Sequence, residues 1–149
     1  MMCFIMLFVI VLPHPSISKR GLSIEELQDQ LLLQKNPKKR IDLLLKIGGN
    51  FGEPQIDSCL HYYTQALDAA KEYNKPLTIS NVLHTIGMFH HRRGEFKQSK
   101  IYFLENVTLA DENLETPQIG ANAYMDMACL LYTSPSPRDA TLSRMPSSA

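Results

Sequence analysis

Gly48, Gly87 and Ala128 recur at nearly equal intervals, each directly after an apolar residue (Ile47, Ile86, Met127) and four places after another (Leu44, Leu83, Tyr124). A second recurrence runs behind the first. Ile56, Cys59, Tyr63, Ala66 and Leu67 share their spacing with Phe96, Ser99, Phe103, Asn106 and Val107. Steps of three and four between apolar residues are those of an amphipathic helix. Two such helices per unit, at a period of about 40 residues, predict an all-α chain of stacked antiparallel helix pairs. No unit of this kind buries its apolar face alone, so each must lean on its neighbour. The count is two complete units and the start of a third.

Breakers fall where this scheme needs them. Ser23 and Glu26 form a capping box for a helix from Ile24 to about Lys35, with Leu22 and Leu27 placed as a hydrophobic staple. Asn36-Pro37, Gly52 to Pro54, Asn74-Lys75-Pro76 and Thr116-Pro117 separate the later helices. Arg92-Arg93-Gly94 closes one of them, with cations at the negative end of its dipole and Gly at the cap. Gly48, Gly87 and Ala128 are expected at the tight helix crossings, with Phe96 and Phe103 filling the space between units. A Val at position 87 is expected to overpack the pair.

With Leu83, Ile86-Gly87, Gly94-Glu95-Phe96, Ser99 and Phe103 in this order, the second unit resembles the tetratricopeptide repeat. The first unit matches it through Leu44, Ile47, Gly48 and Tyr63 across a shortened loop, and the third is begun by Tyr124 and Ala128. His90 stands where that family has an aromatic, and Asn106 where it has Ala. The resemblance covers residues 38–128. It implies a right-handed superhelical solenoid that binds protein or peptide segments. The long period is similar to that of exported sensor segments of bacterial signalling proteins, and a free-standing scaffold without an output domain is the alternative. In such solenoids the first helix of each unit lines the groove. The resemblance therefore places Asp42, Leu45, Asn81, His84, Met88, His91, Asn122 and Met125 along it. Met and His adapt to a ligand and Asn can hydrogen-bond its backbone. Thr85 and Gly49 occupy two places where the carboxylate-clamp subset of the family has Asn, so binding of chaperone tails is not expected.

Both ends read differently from the middle. Met1 to Leu12 is uncharged and apolar, shorter than the roughly 20 residues that span a bilayer. It suits the apolar part of a secretory signal over residues 1–18, although no Lys or Arg precedes it. A buried N-terminal helix is the other reading. Residues 19–37 form a capping helix and linker. Residues 129–149 turn polar and Pro/Ser-rich, and their back-translation resembles sequencing-library adapter, so a non-native disordered tail is expected there. A membrane contact would then come only from a segment further downstream. Setting both ends aside leaves Cys59 as the one cysteine, with no internal disulfide to make.

Charge and motifs narrow the function. Fifteen Lys and Arg balance fifteen Asp and Glu, which argues against a general nucleic-acid binder that must displace counterions. Lys35, Lys38, Lys39 and Arg40 read as a solvated helix junction. No phosphate loop, paired Cys-x-x-Cys or nucleophile elbow occurs, so no enzyme activity, cofactor or metal is expected. His84, Met88 and His91 share one helix face, with no carboxylate expected near enough to complete a metal site.

Overall fold

The computed structural model describes residues 22–133, which form α1 (Ile24–Leu33), α2 (Pro37–Asn50), α3 (Ile56–Tyr73), α4 (Pro76–Arg92), α5 (Phe96–Glu112) and α6 (Pro117–Thr133). A single 3-10 turn, Glu53–Gln55, joins α2 to α3, and the described residues contain no strand. The expected signal segment, and the expected tail beyond Thr133, lie outside this range.

Local chemistry sets the boundaries. Ser23 Oγ accepts from the Glu26 amide while the Glu26 carboxylate accepts from the Ser23 amide at 2.8 Å, so α1 begins on a complete capping box. It ends at Leu33, short of the expected Lys35, because Asn36 is drawn into the next helix. The Asn36 side chain accepts from the Lys39 amide at 3.1 Å and caps α2 ahead of Pro37. Leu22 is exposed, so the staple with Leu27 does not close; Leu27 packs against Leu43 and Ile47 of α2 instead. Asn74, at φ 50°, ends α3 in the left-handed region, and Gly94, at φ 73°, ends α4. The amides of Gly94 and Glu95 bond back to the carbonyls of His91 and His90, the two reversed bonds of a Schellman cap.

Each helix packs on the next, α2 most closely on α3 and α4 on α5, while α4 also touches α2 and α6. The two pairs repeat one another contact by contact. Gly48 lies against the ring of Tyr63, and Gly87 against that of Phe103. Phe51 stacks on Tyr62 at 5.6 Å, and His90, its counterpart in the second pair, stacks on Tyr102 at 5.5 Å. A Cβ at Gly48 would fall 2.7 Å from Tyr63 Cε1, and one at Gly87 2.5 Å from Phe103 Cδ1. Both glycines are therefore required by close approach. Ile41, Leu44, Cys59, Tyr63, Ala66, Ala70, Val82 and Ile86 join α2, α3 and α4 in a single buried cluster. Each large member removed from water contributes about 1.5–3 kcal/mol. Phe96, expected to fill the space between units, is only half-buried and sits edge-on to His91.

The two seams differ in polarity. Ile41, Cys59 and Ala66 of the first pair correspond in register to Ser80, Ser99 and Asn106 of the second. All six are buried, and the polar side-chain atoms of Ser80, Ser99 and Asn106 have no hydrogen-bond partner among the described residues.

The third unit departs from expectation. Ala128 is exposed and Tyr124 is 55% exposed, whereas Gly87 is buried and Leu83, at the corresponding place, is 0% exposed. Ala128 therefore sits at no tight crossing. α6 buries Ile119, Ala123, Asp126 and Leu130 toward α4 and α5, and among the described residues no second helix lies on its other side. The helix also continues through Cys129 to Thr133, past the point where the helical pattern was expected to stop, because Leu130 (3% exposed) extends the buried stripe.

Candidate functional site

The first helix of each pair, α2, α4 and then α6, carries the residues expected to face a ligand. The repeat sets Asp42, Asn81 and Asn122 in one row, and Leu45, His84 and Met125 in the next. Asp42, Asn81, Asn122 and Met125 are exposed, and Met88 and His91 are half-buried. Asp42 borders a depression between α1 and α2 with Gln30, Gln34 and Lys39. Leu45 turns inward, half-buried against the central core, so it offers little to a ligand. The Asn81 main-chain carbonyl accepts from the Thr85 hydroxyl at 2.8 Å, and the residue itself is exposed.

Of the candidate residues, His84 is the one tied to a neighbouring unit. Its Nδ1 reaches both carboxylate oxygens of Asp126 on α6, at 2.9 and 2.8 Å. A carboxylate can only accept, so Nδ1–H donates, and the ring as a whole is half-exposed. Asp126 is buried, which makes the pair a charge-assisted tie between α4 and α6. The hydrogen bond to Asp126 raises the His84 pKa above its ordinary value; burial opposes this and the negative charge of Asp126 adds to it. Sequence reasoning placed no carboxylate near His84, and Asp126 corrects that. The two residues are far apart in the chain, and only the register between successive units brings them together. One imidazole and one carboxylate do not make a metal site. Among the described residues no three His, Cys, Asp or Glu side chains come close enough to hold an ion.

A second histidine has a separate task. His90, where an aromatic was anticipated by resemblance, is buried between Phe89 and Tyr102. Its Nδ1–H donates to Glu95 Oε2 at 2.6 Å, and Arg93 Nε donates to Glu95 Oε1 at 2.9 Å. These two bonds, His90 first, hold the Glu95 carboxyl below its usual range. The stretch 90–95 is thus a polar clasp over the α4–α5 turn.

The other features flagged by the sequence stay apart from the site. Lys35, Lys38, Lys39 and Arg40 are all exposed at the α1–α2 junction. Cys59 is buried in the central core, and Cys129 lies on the exposed side of α6. No described helix is long and apolar enough to cross a membrane. No family model, curated protein or solved structure matches the chain.

Proposed function

We propose that the chain is a protein-interaction module of tetratricopeptide type, a solenoid whose groove along α2, α4 and α6 takes an extended protein segment. The observation that carries this reading is the repeated interlock. Gly48 on Tyr63 and Gly87 on Phe103 give the two helix pairs the same internal packing. With α4 packed on α2 and α3, and α6 on α4 and α5, the outer residues of the first helices fall in rows. Asn81 and Asn122 present side-chain amides one unit apart, suited to the backbone of a ligand, and Met88 and Met125 flank them with adaptable apolar surface. The tie between His84 and Asp126 fixes the spacing of those rows.

In its fuller form the proposal makes this module the extracytoplasmic sensing part of a larger signalling protein. That rests on the apolar run from Met1 to Leu12. Its rival, a free-standing scaffold, lacks any output domain, and the sequence of the surrounding gene separates the two.

The groove itself is tested by selecting binders from a random peptide display library on the intact chain. Selected peptides should bind Asn81→Ala/Asn122→Ala at least about tenfold more weakly, the loss of two hydrogen bonds to a ligand. Both residues are exposed, so the variant keeps its fold. Peptides that bind parent and variant alike, or a selection that enriches nothing, would overturn the assignment.

A further inference from the structure

Charge is unevenly shared between the helices. The whole chain is neutral, yet α4 contains no Asp or Glu, and α6 contains only Asp126. That carboxylate is buried and held by His84. The acidic residues that flank these helices in sequence lie on α5 (Glu105, Asp111, Glu112) or in the turns (Glu95, Glu115). Asp42, the other acid among the groove residues, is on α2, where Lys39 and Lys46 border the same depression. The helices α4 and α6 therefore offer a ligand no exposed carboxylate of their own. Arg92, exposed at the end of α4, and a protonated His84 offer it positive charge.

His84 is built as a switchable contact. Its Nδ1–H donates to Asp126 whether the ring is charged or neutral, because the neutral tautomer with its proton on Nδ1 makes the same bond. The proton that comes and goes is therefore the one on Nε2, and Nε2 has no hydrogen-bond partner among the described residues. Titration changes what the ring can bind without turning it. In the charged ring Nε2–H is a donor matched to a carboxylate; in the neutral ring Nε2 is an acceptor that repels one. With its side chain 46% exposed, the ring is open to a ligand. Among the described residues the charges that act on it are those of Asp126 and of Arg92 on α4 itself; α2, α3 and α5, also packed on α4, add none. One repeat earlier the places of His84 and Asp126 hold Leu45 and Thr85, which do not titrate in this range.

We propose that His84 is a proton-operated anchor for an acidic ligand segment: with Nε2 protonated it holds a carboxylate of the segment in the groove, and loss of that proton releases it. Buried Asp126 fixes the ring and favours its charged form, and Arg92, about two turns further along α4, adds to the attraction. This inference rests on the groove reading above and adds to it the charge of the ligand and its control by pH.

The test selects peptides from a random display library on the intact chain at about pH 6, then titrates the selected peptides, N-acetylated, at about pH 6 and about pH 9. Asp and Glu side chains are ionised at both, so the ligand's carboxylates keep their charge across the range. Selected peptides should be rich in Asp and Glu and bind the parent at least about tenfold more tightly at the lower pH. The midpoint of that change should lie above 6.5, the ordinary value for the imidazole. Exchanging the peptide's Asp or Glu for Asn or Gln should remove the pH dependence, and this arm needs no change to the protein. His84→Gln should bind at the parent's high-pH strength throughout. Asp126→Asn, which keeps an acceptor for Nδ1–H but not its charge, should move the midpoint to lower pH, a shift that a merely structural tie would not produce. Equal binding at both pH values, a pH dependence that survives in His84→Gln, or selected peptides without acidic residues would overturn the proton link and leave the groove to be judged by Asn81→Ala/Asn122→Ala. A selection that enriches nothing would remove the groove, and this anchor with it.

Discussion

Gly94 closes α4 with a backbone that other residues enter only at a cost of about 1–2 kcal/mol. Nothing lies within 4 Å of where its side chain would point, so conformation alone sets the penalty. Gly94→Ala should lower the unfolding free energy by about 1 kcal/mol, measured by denaturant titration; an unchanged midpoint would show that the cap is not held in this form. His84 makes a pH-dependent contribution. Its pKa is raised in the fold, chiefly by the bond to Asp126. The stabilisation is therefore complete below the unfolded value of about 6.5 and fades as pH rises through the higher folded value. Arg92 works against the charged ring and moderates the effect. Between about pH 6 and about pH 9 the parent should lose stability relative to His84→Gln. Parallel pH profiles for the two proteins would remove the tie from the account.

At the scale of elements, much was legible because much was local. The capping box at Ser23, the cap at Asn36 before Pro37 and the glycine end of α4 each lie within a few positions of one another in the chain, where side-chain and backbone chemistry decides the outcome. The half-exposed Phe96, the exposed Leu22 and the bond from His84 to Asp126 depend on how one helix is set against another. No short window of sequence carries that information. Polarity divides the seams as well. The α2–α3 pair is closed by Ile41, Cys59 and Ala66, whereas the α4–α5 pair buries Ser80, Ser99 and Asn106 with no side-chain hydrogen-bond partner among the described residues. An unpaired buried amide costs about 1–3 kcal/mol. Asn106→Ala, which copies Ala66 of the first pair, should leave the unfolding midpoint unchanged or raise it by an amount worth about 1 kcal/mol. A clear drop would mean that the Asn106 amide has a stabilising partner in solution.

For the whole molecule, the repeat period gave the order of helices and the two glycine crossings, but it could not say which faces of the third unit would be covered. The sequence of α6 reads like that of α4 on both sides, and only contact with a second helix turns a small residue into a crossing. Ala128 is small and exposed; Gly48 and Gly87 are small and enclosed by Tyr63 and Phe103. That contrast makes three matched substitutions the most direct measurement of the interlock on which the proposed groove depends. In thermal and denaturant unfolding of the intact chain, Gly48→Val and Gly87→Val should each lose about 1–3 kcal/mol by overpacking, while Ala128→Val should stay within about 0.5 kcal/mol of the parent. A Gly87→Val protein that melts with the parent, or an Ala128→Val protein as damaged as Gly87→Val, would contradict it.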